Sequence, residues 1–239
     1  MPGVREHIVG SALVGAGYGA AGWAMGGLPA ATCGLAAGLC TAAGMLPDLD
    51  GGPGDSLRER VSVAAALVPI MLVPRFQQLG LPIEGMVLAA AGVYFTIRYG
   101  LEWLLGAYTS HRGMLHSLPA AAIAGQLAFL ACGGEESLHR YFVAGAVVLG
   151  FITHLVLDEI WAVRNGWFGP KAKKAFGSAM KFHGPVLWAN IVTYVLAVAL
   201  GAIAAGDAAW TERRDGVRQQ MQQAVRPYPQ QYPQWQFRR

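Results

Sequence analysis

The sequence predicts an all-α fold, a polytopic transmembrane bundle of about six to seven apolar helices with a disordered C-terminal tail. Of the 239 residues, 54% are hydrophobic and only 13% are charged, whereas a soluble domain carries about 25% charged residues. The apolar residues are gathered into segments that approach the ~20 residues needed to cross a bilayer. A soluble all-α domain would need more charge on its outer helix faces, so hydrocarbon is the solvent that this composition predicts.

The apolar segments are separated by short polar or proline-containing stretches. We place them at Ile8–Met25, Leu28–Leu46, Val61–Leu79, Leu81–Leu105, Leu118–Cys132, Tyr141–Ile160 and Pro185–Ala205. Gly15-x-x-x-Gly19 and Gly34-x-x-x-Gly38 lie in the first two segments, and small residues at this spacing let membrane helices approach closely. The first two segments are therefore predicted to form a tight hairpin.

The composition changes near residue 207. Residues 1–206 form the predicted membrane domain, and residues 207–239 are rich in Gln, Pro and Arg and cannot bury a core, which predicts a disordered tail. The tail could recruit a protein partner. Basic residues flank the apolar segments, so membrane lipids are the expected partner of this charge, and nucleic acid is not expected.

Ionisable residues stand at the ends of the apolar segments in four places. An even number of segments separates each place from the next, so all four emerge at the same membrane face if every segment spans. The predicted metal ligands in these places are His7, Asp48, Asp50, His111, His116, His154 and Asp158. Positions four apart share a helix face, which brings His154 and Asp158 together.

Imidazole and carboxylate ligands suit a divalent metal, with Zn²⁺, Mn²⁺ or Fe²⁺ the best fits. Two metals held by such ligands would activate water and clamp a phosphoryl oxygen. Arg112 is predicted to bind a substrate phosphate. Ser117 is predicted to orient a ligand or cap a helix, and Asp158 to act in catalysis as well as in metal binding.

These motifs resemble the pattern of the YdjM-like family. The resemblance rests on His7, the LPDLD run that ends at Asp50, the HRGMLHS run that ends at Ser117, and His154-x-x-x-Asp158, over about residues 1–160. The family is described as LexA-binding, inner-membrane-associated metal-dependent hydrolases, so the resemblance implies a bacterial inner-membrane hydrolase. A more distant resemblance to zinc-dependent phospholipases C implies phosphoester substrates. Leu115 departs from the threonine that family members often carry before the second histidine.

Three functions are compatible with the sequence. A membrane hydrolase that acts on a phosphorylated or lipid substrate explains the ligand chemistry best. A transporter of ions or small solutes would also use intramembrane His and Asp, but it should show internal repeats and place these groups near the midplane. A non-catalytic membrane scaffold is the third alternative.

The basic residues also predict an orientation. With the N-terminus in the cytoplasm, the segments on that side carry Arg5, Arg58, Arg60, Arg112, Arg164, Lys171, Lys173, Lys174 and Lys181. The outer loops carry only Arg75 and Arg140. The positive-inside rule therefore places the metal site at the cytoplasmic face. Seven spans would put the basic tail outside, so either the tail is translocated or Pro185–Ala205 does not span.

Overall fold

The fold is entirely helical in the part of the chain that this computed structural model describes, which is residues 3–50, 55–101, 103, 114–133, 137–167, 181–184 and 186–224. The α-helices are α1 (Val4–Ala24), α2 (Ala30–Ala43), α3 (Asp55–Gln78), α4 (Ile83–Phe95), α5 (Leu118–Ala131), α6 (Ser137–Trp167) and α7 (Leu187–Ala224). A 3₁₀ turn covers Pro47–Asp50, and a π-helical turn covers Thr96–Leu101. The prediction of an all-α fold is confirmed.

Each predicted apolar segment corresponds to one of these helices. Two of them contain stretches long and apolar enough to cross a membrane, Ser137–Trp161 in α6 and Leu187–Ala208 in α7. The helices α2 and α5 are apolar but have only 14 residues each, fewer than the ~20 that a full crossing needs. Length and composition therefore support two of the predicted spans among the described residues.

Two contacts between α2 and α6 define the two ends of the bundle. At one end, Oγ1 of Thr32 lies 3.3 Å from Nδ1 of His139. At the other end, Nδ1 of His154 lies 2.7 Å from the carbonyl oxygen of Gly44. We call these the distal and the proximal end. The helices α2 and α6 thus run parallel, and α6 packs against α1, α2 and α5 at the centre of the fold.

Glycines allow α1 and α2 to approach as the sequence predicts, but only from one side. A Cβ atom on Gly15 or Gly19 would lie 2.7 Å from a backbone carbonyl oxygen of α2. A Cβ atom on Gly34 or Gly38 would meet nothing within 4 Å. The predicted contact through α1 is confirmed, whereas the contact predicted through Gly34-x-x-x-Gly38 is wrong because that face of α2 has no neighbour this close among the described residues.

A glycine also sets the separation of α2 and α6 near the proximal end. A Cβ atom on Gly150 would run into the carbonyl oxygen of Cys40. Four residues later on the same helix, His154 reaches Gly44. Because residues four apart lie on one helix face, the same close approach that excludes a side chain at Gly150 permits the hydrogen bond from His154.

The variant Gly150→Ala should test this spacing. The added methyl group forces the two backbones apart, and we expect the free energy of unfolding to fall by about 1–3 kcal/mol. The matched control is Gly38→Ala, which has nothing within 4 Å of the new atom and should be neutral or stabilising by up to ~1 kcal/mol. Denaturant titration in detergent, followed by tryptophan fluorescence, measures both. A Gly150→Ala protein as stable as wild type would contradict the proposed packing.

The last helix runs the whole length of the bundle. Leu118, at the start of α5, donates its backbone N–H to the carbonyl of Lys181, just before α7. Farther along α7, the carboxylate of Asp207 meets Arg75 at the end of α3 and Arg140 at the start of α6. The helix α7 therefore starts at the proximal end and reaches the distal end.

The predicted boundary between domain and tail needs correction. Asp207, the first residue of the predicted disordered tail, is inside α7, and the helix continues to Ala224. Extension of a helix that is already formed needs no new nucleus, and the Arg, Gln, Met and Ala residues of this stretch favour helix. Residues 225–239 lie outside the described residues.

Candidate metal centre

Five of the predicted ligands converge at the proximal end. They are His7 in the first turns of α1, Asp48 in the 3₁₀ turn, His116 just before α5, and His154 and Asp158 on α6. His7, His116 and His154 are buried, while Asp48 and Asp158 are partly exposed. The other predicted ligands are untested, because His111 and the side chain of Asp50 lie outside the described residues, as does Arg112.

Two histidine nitrogens alternate with two carboxylate oxygens around a closed ring of four potential metal-ligand atoms, which we call the donor ring. Nε2 of His154 lies 3.5 Å from Oδ1 of Asp48 and 3.6 Å from Oδ2 of Asp158. Nε2 of His116 lies 3.6 Å and 3.9 Å from the same two oxygens. Ligands held at ~2.0–2.2 Å around a tetrahedral ion stand ~3.3–3.6 Å from one another. The ring therefore has the size of a site for one small cation.

His7 extends the cluster on the side of α1. Its Nε2 lies 3.4 Å from Oδ1 of Asp158, the oxygen that faces away from the ring. Its imidazole also stacks on that of His154, with ring centroids 3.7 Å apart. One oxygen of Asp158 therefore contacts His7, and the other contacts His116 and His154. A carboxylate placed in this way can bridge two groups of metal ligands.

The tautomer of His154 follows from its partner. A carbonyl oxygen only accepts hydrogen bonds, so Nδ1 of His154 must donate its proton to Gly44. In the neutral ring, Nε2 then carries a lone pair, and this fully buried atom makes no hydrogen bond within the described part of the chain. It faces two carboxylate oxygens, so only a cation, either a proton or a metal ion, relieves the repulsion. A histidine oriented by a backbone carbonyl is a common arrangement in metal sites.

Arg60 supports the ring from α3. Its Nη1 donates to the backbone carbonyl of Asp48 at 2.6 Å, and its Nη2 lies 3.7 Å from Oδ2 of that residue. Burial alone would raise the pKa of the Asp48 carboxyl, but the contacts from His116 and His154 and the positive charge of Arg60 hold it well below its ordinary value. Asp48 is consequently an ionised, ready ligand at neutral pH.

Ser117 is placed by the structure as a helix cap. Its buried hydroxyl donates to the carbonyl of Met114 at 2.5 Å and accepts from the N–H of Ala120 at 3.3 Å. These bonds close the turn that carries His116 and start α5, which satisfies one of the unpaired donors at a helix N-terminus. Of the two roles predicted for Ser117, its contacts match the cap.

Two parts of the site do not follow from the sequence motifs. In the sequence, Arg60 counts only as one of the basic residues that predict the orientation in the membrane. An arginine soon after an Asp-rich turn can nevertheless indicate an ion pair. The carbonyl of Gly44 carries no side-chain signal at all. It belongs to the site only through the packing of α2 on α6.

The described fold is a helical bundle with two helices long and apolar enough to cross a membrane, and it contains a His/Asp cluster that could hold a metal ion. The YdjM inner membrane protein family matches residues 1–220, and the chain belongs to this family. The resemblance drawn from the motifs is thereby confirmed over a longer range than the motifs cover. Neither the curated proteins nor the solved structures contain a significant match.

Proposed function

We propose that this protein is a membrane-bound metal-dependent hydrolase that acts on a phosphoester or lipid-linked substrate. The observation that carries the proposal is the donor ring, in which His116 and His154 alternate with Asp48 and Asp158 at distances of 3.5–3.9 Å. Mixed imidazole and carboxylate ligands suit Zn²⁺, Mn²⁺ or Fe²⁺. A bound divalent ion supplies Lewis acidity, which makes water a nucleophile near neutral pH and polarises a phosphoryl oxygen.

The chain's own residues prepare the site for this chemistry. Gly44 fixes the ring of His154 and the tautomer that leaves Nε2 free as a ligand atom. Arg60 holds the turn that carries Asp48, and its guanidinium can also face an anionic substrate at the same edge. Asp48 brings a carboxylate oxygen to 3.5 Å from that Nε2 atom.

Metal content and hydrolysis of the purified protein test the proposal. We expect the detergent-solubilised protein to retain a divalent metal and to hydrolyse p-nitrophenyl phosphate or vesicles that contain phosphatidic acid, with activity lost on chelation. His116→Ala and Asp158→Ala should abolish activity, because each removes a member of the ring. His183→Ala, which removes an exposed histidine of the segment before α7, is the matched control. Full activity in His116→Ala, or wild-type protein that binds no metal, would refute the proposal.

We also propose that the bundle crosses the inner membrane several times, with the donor ring at the cytoplasmic face. The positive-inside argument supports this orientation, and the course of α7 from the proximal to the distal end supports a crossing by that helix. The C-terminal part of α7 would then lie on the periplasmic side.

Labelling of single cysteines with a membrane-impermeant maleimide tests this topology. In a background without Cys33, Cys40 and Cys132, Ser110→Cys should react only after the cytoplasmic side is opened. Gly216→Cys, at an exposed position of α7, should react in intact spheroplasts. Periplasmic labelling of Ser110→Cys would refute the orientation, and labelling of both positions from one side would show that α7 does not cross.

A further inference from the structure

A large apolar cavity lies between α2, α3, α5 and α7. Its volume is about 870 Å³, toward the upper end of the ~300–1,000 Å³ that small-molecule sites enclose. The walls are made of Leu, Val, Ala, Met and aromatic side chains, among them Leu67, Leu127 and Val192. Arg60 is the one charged residue among the described residues that line it. The hydroxyl of Thr193 is already bound to the carbonyl of Ala189.

The cavity ends beside the donor ring. Leu49 and Leu115, which line the cavity, are the chain neighbours of Asp48 and His116. Arg60 belongs to both places, since it lines the cavity and its guanidinium contacts Asp48. An apolar space therefore leads to the candidate metal centre and meets a positive charge at their junction.

The chemistry of the walls identifies the occupant. Apolar walls offer water few hydrogen-bond partners and therefore favour an apolar occupant. In an inner-membrane protein, the hydrocarbon chains of the bilayer lipids are available to fill such a space. Three residues of α7 line the cavity and are also exposed: Trp188, Val192 and Leu196. The cavity is therefore open on this side of the bundle, which offers a lateral route for a lipid chain.

We propose that the cavity binds the hydrocarbon chain of an anionic membrane lipid, and that Arg60 holds its phosphate beside the donor ring. Besides the N–H groups that contact Asp48, a guanidinium has further N–H donors, and these suit a phosphate oxygen. The inference rests on the proposed function and narrows it: the substrate is a lipid phosphoester with a long chain, and a soluble phosphoester lacks the part that the cavity binds.

The test uses hexadecyl phosphate with a diazirine in the middle of its chain, added to the full-length protein in phosphatidylcholine nanodiscs. After illumination, mass spectrometry should find the label on cavity residues of α3, α5 and α7. Ala64→Phe fills the cavity from α3 and should reduce the labelling about tenfold, because the ring displaces several buried methylene groups. Ala66→Phe, two residues away on an exposed position outside the cavity, is the matched control and should label like wild type.

Ala189→Phe fills the cavity from the opposite wall and serves as a second variant in case Ala64→Phe misfolds. The thermal unfolding of each protein is measured to detect misfolding. Labelling spread evenly over the outer faces of the helices, or equal labelling by an uncharged diazirine alkane, would reduce the cavity to a place for bulk lipid and overturn the proposal. Labelling by the phosphate probe that Arg60→Leu weakens would support it.

The same proteins separate this inference from the proposed function. If p-nitrophenyl phosphate is hydrolysed and Ala64→Phe leaves turnover of long-chain lipid substrates unchanged, the hydrolase stands and the cavity proposal falls. If the probe labels the cavity selectively but no phosphoester is hydrolysed with any metal, the lipid site stands and the hydrolase falls.

Discussion

Replacement of His154 by alanine is expected to lower the affinity for a divalent metal by at least about 100-fold. His154 is fully buried, its Nδ1 is held by Gly44, and its Nε2 faces both carboxylates of the donor ring. The variant therefore removes a ligand atom that the fold has already oriented. Metal content by mass spectrometry and competition with a chelator of known affinity measure the loss.

The control for this variant is His139→Ala. His139 lies on the same helix, α6, but at the distal end, where it faces Thr32. It should keep the metal and its affinity. Because a ligand that binds only the folded protein raises its stability, added Zn²⁺ should raise the unfolding temperature of wild type and of His139→Ala, but not of His154→Ala. Wild-type metal affinity in His154→Ala would rule out the donor ring as the metal site.

Replacement of Asp207 by alanine is expected to lower the free energy of unfolding by about 3–5 kcal/mol. The guanidinium of Arg140 is fully buried and pairs with Asp207. Arg75 donates to both oxygens of the same carboxylate, at 3.1 and 2.7 Å. Loss of the carboxylate removes the Asp207 contact from the buried guanidinium and loosens α7 from α3 and α6. Denaturant titration in detergent measures the change.

Two further variants make this prediction specific. Glu84→Ala removes an exposed carboxylate at the same distal end and should change the free energy of unfolding by no more than about 0.5 kcal/mol. The double variant Arg140→Met with Asp207→Leu should recover much of the loss, because an apolar pair can replace a buried ion pair. Additive losses in the double variant would show that the two residues are not coupled. Metal affinity should stay unchanged throughout, since the donor ring is at the proximal end.

The close contact of the first two helices was partly predictable. A glycine pair at four-residue spacing marks a face that a neighbour can approach, and Gly15 and Gly19 follow that rule. Gly34 and Gly38 carry the same signal without a close neighbour. The glycine pair indicates that close packing is possible on the helix face that carries it. Whether such packing occurs depends on how the helix is rotated in the bundle.

Patterns along the chain are sufficient to predict that the protein is helical, that it suits a membrane, and that its His and Asp motifs share one end. These properties follow from local composition, from the 3.6-residue period and from the even number of apolar segments between motifs, all of which are readable in order along the chain. For the same reason, the four-residue spacing of His154 and Asp158 is enough to pair them on one helix face.

The groups that complete the site, and the space around it, depend on tertiary contacts. Gly44 and His154 are 110 residues apart, and Arg75 and Asp207 are 132 apart. The cavity beside Arg60 is bounded by helices from across the chain. Such contacts depend on how each helix is rotated and how closely its backbone approaches the next, and these are set by packing across the whole bundle rather than by any local pattern of residues.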